Sequence, residues 1–173
     1  MAQSVTIPTI IETIGMQVWL GLAALSLGPI GLVILAIALT IEHSLIRKSL
    51  GTLGLSGVLK GGLVSVIETI LWGIGLFIWH LNPVGSVIFL LLAINTEHTI
   101  QDNYFEGLGL FSKLFNPGRL DVTAIEVAGF AVAMIIIGIF GPVGAIIGAP
   151  LFFIANLTEH KKIVASDLLA ITK

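Results

Sequence analysis

Six glutamates and three histidines recur along this chain in one order: Glu12 then Glu42-His43, Glu68 then Glu97-His98, Glu126 then Glu159-His160. Carboxylate with imidazole suits divalent iron, manganese or zinc, or a proton relay, better than it suits calcium or copper(I). Thiolate ligands and disulfides are excluded, because the chain has no cysteine. Glu followed directly by His departs from the Glu-x-x-His spacing of di-iron helix bundles, so the pair alone is a weak metal motif. Its threefold recurrence beside a further carboxylate makes Glu12, Glu42, His43, Glu68, Glu97, His98, Glu126, Glu159 and His160 the candidate metal ligands.

The punctuation around these residues repeats as well. A hydroxyl residue stands three before each first Glu (Thr9, Ser65, Thr123), and a Pro-centred tetrad divides each unit: Gly28-Pro29-Ile30-Gly31, Asn82-Pro83-Val84-Gly85 and Gly141-Pro142-Val143-Gly144. The chain is a triplicated unit, divided as 1–60, 61–120 and 121–173. A polar residue kept in all three copies while its apolar neighbours drift is a functional candidate. Thr9-x-x-Glu12, Ser65-x-x-Glu68 and Thr123-x-x-Glu126 have the spacing of capping boxes at helix starts. Glu42, Glu97 and Glu159 are expected near helix C-termini, where the helix dipole disfavours a negative charge by roughly 0.3–1 kcal/mol. The adjacent His, if protonated, compensates. Against any site stands a plain interfacial reading, in which Glu and His end each helix among lipid headgroups.

The elements that must position these residues follow from composition. The chain is 56% hydrophobic and 10% charged, with a mean hydropathy of +1.08, whereas about a quarter of the residues of a soluble domain are charged. This implies an all-α integral membrane protein. Runs 13–41, 69–96 and 127–158 contain no Asp, Glu, Lys or Arg, and each exceeds the roughly 20 residues of one bilayer crossing. With each tetrad as a type I turn, every unit becomes an αα-hairpin, giving six transmembrane helices near 10–27, 30–47, 66–81, 84–100, 124–140 and 143–162. The last is expected to kink or break at Pro150. Arms of 16–18 residues would be short spans, about 24–27 Å. The alternative is three long helices kinked at their central prolines. All eight Lys and Arg lie outside the three runs, so hairpins gather them on one face. That asymmetry favours six helices in a cell membrane with both termini cytoplasmic.

Hairpins bring both Glu positions and the His of each unit to one membrane side. If the units pack around a pseudo-threefold axis, the His of one meets a carboxylate of the next, closing a ring of six Glu and three His. Adjacent residues on a helix point about 100° apart, so Glu42 and His43 are expected to face different neighbours. Gly15, Gly21, Gly73, Gly75, Gly129, Gly138 and the Gly144/Gly148 pair would let helices approach closely. His80, Trp19, Trp72 and Trp79 read as interface or packing residues. Leu-Gly-Leu recurs at 53–55 and 108–110, and Phe105, Leu108, Leu110, Phe111, Leu114 and Phe115 suggest a linker lying in the interface. The N-terminus predicts no cleaved signal peptide.

No phosphate-binding loop, nucleophile elbow or basic nucleic-acid patch is present. Three classes of function remain. The first binds a metal or another His/Glu-coordinated ligand, with or without catalysis. The second is a proton or cation transporter or channel using the same carboxylates, and the third a structural or pigment-binding subunit of a membrane complex. The expected partners are the lipid bilayer and a membrane-protein partner or a second copy of the chain, with no nucleic acid.

Overall fold

The long apolar runs are helical, the form in which a chain satisfies its backbone polar groups internally. The computed structural model describes residues 5–49, 55–105 and 112–171. Among them are α1 (Thr6–Ala24), α2 (Gly28–Ser49), α3 (Leu55–Leu81), α4 (Pro83–Phe105), α5 (Leu120–Phe140) and α6 (Val143–Ile171), with one 3-10 turn at Pro117–Arg119 and no strand. Six segments are long and apolar enough to cross a membrane, from 19 residues in Thr6–Ala24 to 24 in Pro117–Phe140. The spans are therefore not short, since 19–24 residues cover about 29–36 Å. Three long kinked helices are not what forms: each apolar run divides into two.

The division falls at the second and third tetrads and just before the first, and not as simple type I turns. Asn82 alone separates α3 from α4, and its Oδ1 accepts a hydrogen bond from the Gly85 N–H at 3.1 Å. It is an N-cap, with Pro83 at the first helical position, where the missing N–H costs nothing. In the first unit the chain reverses earlier, through Leu25-Ser26-Leu27 with Ser26 at φ 63°. Gly28-Pro29-Ile30-Gly31 then forms the first turn of α2. Gly141 adopts φ 62° and ψ −150° before α6, a conformation that only glycine reaches without strain. Pro150 neither breaks nor ends α6, which continues to Ile171.

Each helix packs on its neighbours in chain order, and α6 returns to pack against α1, closing the bundle. The interior holds Met16, Trp19, Leu35, Trp72, Leu90, Phe130 and Phe152. Trp19 and Trp72 are thus packing residues, fully enclosed rather than interfacial. The outside is apolar: Ile14, Val33, Phe77, Ile88, Ile135, Ile146 and Ile154 are all exposed. Such a surface is consistent with a membrane protein. Between α4 and α5 the linker is tied down by polar bonds. Asn95 Nδ2 donates to the Asn116 carbonyl and Asn95 Oδ1 accepts from the Asn116 N–H, at 3.0 and 3.1 Å. Arg119 donates to both carboxylate oxygens of Asp102 at 3.0 and 3.1 Å. Leu114 and Phe115 are exposed there. Leu108, Leu110, Phe111 and most of the Leu-Gly-Leu segments lie outside the described residues, as does the side chain of Phe105.

In the first and third tetrads the last glycine sets helix approach. A Cβ on Gly144 would lie 2.6 Å from the Ile136 oxygen and the Ile137 Cα, and one on Gly31 would lie 2.9 Å from the Trp19 Cα. At Gly138 the same atom meets nothing within 4 Å. Gly144→Ala should therefore destabilise the bundle by about 1–3 kcal/mol, as overpacking does, while Gly138→Ala is neutral. Thermal unfolding of both variants in detergent, followed by circular dichroism, checks the contrast; equal melting would remove the close-approach role.

Candidate metal centre

The nine sequence candidates converge at the end of the bundle away from the tetrads. Helix position explains how. Thr9 and Glu12 lie on one face of α1, because residues three apart are neighbours on a helix surface, and the same holds for Ser65 and Glu68 on α3 and Thr123 and Glu126 on α5. These residues sit within helices rather than at their starts: α1 begins at Thr6, α3 at Leu55 and α5 at Leu120. The capping-box expectation fails for that reason. Glu42, Glu97 and Glu159 likewise stand well before the ends of α2, α4 and α6 at Ser49, Phe105 and Ile171. The helix dipole acts within the last turn and has little hold on them.

Each imidazole reaches the hydroxyl and the first Glu of the following unit; His98 and His160 also reach its second Glu, whereas the third contact of His43 is its own neighbour Glu42. His160 Nδ1 lies 2.8 Å from Thr9 Oγ1, and its Nε2 lies 3.1 Å from Glu12 Oε2 and 3.3 Å from Glu42 Oε1. His43 Nδ1 lies 2.8 Å from Ser65 Oγ, and its Nε2 lies 3.6 Å from Glu68 Oε2 and 3.4 Å from Glu42 Oε2. His43, Glu68 and Glu97 each offer a ligand atom within 4.8 Å of the others. His98 Nδ1 lies 3.1 Å from Thr123 Oγ1, and its Nε2 lies 3.7 Å from Glu126, 3.6 Å from Glu159 and 3.9 Å from Glu97. His98, Glu126 and Glu159 form a second set within 4.8 Å. The expected ring thus closes from the His of one unit to the carboxylates of the next. The expectation that Glu42 and His43 would look apart holds only in part, since Glu42 reaches both His160 and His43.

The hydroxyls orient the rings. Thr9 Oγ1 donates to the Val5 carbonyl at 2.7 Å, and Thr123 Oγ1 donates to the Arg119 carbonyl at 3.0 Å. Each hydroxyl proton is thereby committed, and the oxygen must accept from the His Nδ1–H. That hydrogen-bond network assigns a proton to Nδ1 and turns Nε2 toward the carboxylates; a hydrogen bond on the far ring nitrogen is what fixes the orientation of a metal-ligating imidazole. Sequence reasoning missed this role for Thr9 and Thr123, and the contact of Ser65 with His43. Their recurrence was visible, but a capping box has the same spacing.

The ring is enclosed by protein. No Glu of the ring is more than 4% exposed. Glu68 Oε2, Glu126 Oε2 and Glu159 Oε2 are buried and accept no hydrogen bond. Glu68 Oε1 accepts one from Trp72 Nε1 at 3.2 Å. Removing a carboxylate from water costs several kcal/mol unless it is paired. Three imidazolium ions would offset three of six carboxylates, so protons or bound cations must offset the rest. A cavity of about 30 Å³ lies among these groups, lined also by Ile46, Gln101 and Ile163, one turn beyond the second Glu of each unit. It has room for two or three water-sized occupants at roughly 10–15 Å³ each. Thr13, Gln17 and Asn156 are also buried nearby on α1 and α6, polar exceptions in apolar runs that sequence reasoning passed over.

Comparison with protein families, curated proteins and solved structures finds no match to this chain.

The assigned tautomer has a direct readout. In protein carrying ¹⁵N-labelled histidine, His98 and His160 should show Nδ1 protonated when neutral, and Thr123→Val should shift His98 alone toward an Nε2-protonated or mixed form. An unchanged His98 spectrum would mean that the hydroxyl does not hold the ring.

Proposed function

We propose that this is a polytopic membrane protein of three helical-hairpin repeats, 1–60, 61–120 and 121–173, set around a pseudo-threefold axis, and that its ring of six Glu and three His binds divalent metal ions. Iron, manganese and zinc fit the donors. The ring faces the cytoplasm, since the Lys and Arg residues gather in the linkers and C-terminal segment at that end.

Ligand spacing carries this reading. An imidazolium that binds a carboxylate directly brings N and O to about 2.7–2.9 Å, whereas ligand atoms about 2.0–2.2 Å from a tetrahedral ion lie roughly 3.3–3.6 Å apart. The Nε2 to carboxylate separations run from 3.1 to 3.9 Å. Most exceed a direct charge-assisted bond and fall near the separation across a metal. With neutral imidazoles, each His with two carboxylates carries a charge of −2, which one divalent cation neutralises. An ion there would turn a costly buried charge into a coordinated one. Bound metal stabilises the folded chain by mass action.

Elemental analysis of the purified protein after exhaustive desalting should find near-stoichiometric metal. The combined Glu97→Gln, Glu126→Gln and Glu159→Gln variant, close in volume to the native chain, should lose most of it. Thr123→Val should weaken retention by about 10–100-fold, the usual scale of an outer-shell loss. Metal-free wild type, or undiminished metal in the triple variant, would overturn the reading.

A further inference from the structure

Beyond the ring, the first helix of each unit continues along the same axis in matched layers. Counted from Glu12, Glu68 and Glu126, the positions four residues on are Met16, Trp72 and Phe130, all buried. Phe130 is the centre of this layer. Its ring centroid lies 6.5 Å from that of Trp19, 5.2 Å from Trp72 and 5.8 Å from Trp79. Eight residues on stand Leu20, Leu76 and Met134; twelve on stand Ala24, His80 and Gly138.

Those two layers, with the positions eleven on, are the whole lining of a second cavity of about 160 Å³. Protein interiors are packed with few voids larger than a water molecule. This chamber is built only from equivalent positions of three helices, and it opens outward past Ala24, His80 and Gly138, which are exposed. His80 stands at its rim and is the only titratable residue within the three charge-free runs. At 1.5 Å per residue its layer lies about 18 Å from the first Glu positions. The axis therefore carries a polar ring, an aromatic and aliphatic barrier, and a chamber open toward the tetrad end.

We propose that this axis is a conduction path for the divalent cation held by the ring, closed by the Phe130 layer and continued by the chamber beneath His80. The inference rests on the metal-binding reading and adds movement to it. Apolar constrictions gate ion paths by excluding water, and ionisable residues enclosed within a membrane bundle mark ion routes. Leu20, Leu76 and Met134 form the chamber floor, so widening either this layer or the Phe130 layer shortens the barrier.

Because the chain has no cysteine, single thiols can be placed without background. In proteoliposomes, wild-type protein should pass Mn²⁺ or Zn²⁺ faster than empty vesicles do, and Phe130→Ala should raise that flux severalfold. Leu76→Ala, a half-buried site, serves if Phe130→Ala fails to fold. Ala24→Cys and Gly138→Cys should react with a membrane-impermeant thiol reagent from the face opposite to the one that labels Gln101→Cys. Stoichiometric metal in detergent with no flux through wild type, Phe130→Ala or Leu76→Ala would overturn the path and leave the metal site standing. Absence of bound metal would overturn both. Thiols at 24 and 138 that react from neither face would seal the chamber and overturn the path as well.

Discussion

Six carboxylates are held inside an apolar bundle, and the rest of the molecule is arranged around that cost. A lone buried carboxylate would be destabilising by several kcal/mol. In this fold none stands alone: the groups face one another and three imidazoles at a common level. That placement needs helices from all three units to reach the same depth together. A one-residue slip in any helix would turn a Glu by about 100° away from the ring, toward the apolar outside.

The small residues between helices serve the same requirement. Gly15 lies so close to Ala38 that a methyl group would collide with it, and Gly144 is pressed against the backbone of α5. Close approach within a hairpin sets the axial offset of its two helices. That offset decides whether the second Glu and the His arrive opposite the first Glu of the following unit. The aromatic cluster around Phe130 then fills the axis directly above the ring. Polar and apolar layers follow each other along α1, α3 and α5 at intervals of about one helical turn.

Much of this could be read from the chain, because repetition reports function as an alignment would. The nine ring residues were found by recurrence alone, and the six spans by charge-free runs divided at proline. Helix ends were less legible. The third helix is expected near 66–81, yet α3 begins at Leu55, eleven residues earlier. Thr9-x-x-Glu12 misled for a different reason. Spacing of three puts two side chains on one helix face, whether that face caps a helix start or lies against a neighbouring helix. Only the position of the helix start separates the two, and it is the least certain quantity in a sequence.

Glu42 touches the imidazoles of both the first and the last unit, and His160 on α6 closes on Glu12 of α1. Chain order gives this closure a consequence in time. As helices are made one after another, Glu12 is placed with α1 and its imidazole arrives with α6. Until then the first carboxylate depends on a proton or on water for company. Assembly of the ring therefore joins α6 to α1, and a protein halted after α4 would hold the His43 cluster while lacking the His98 and His160 clusters.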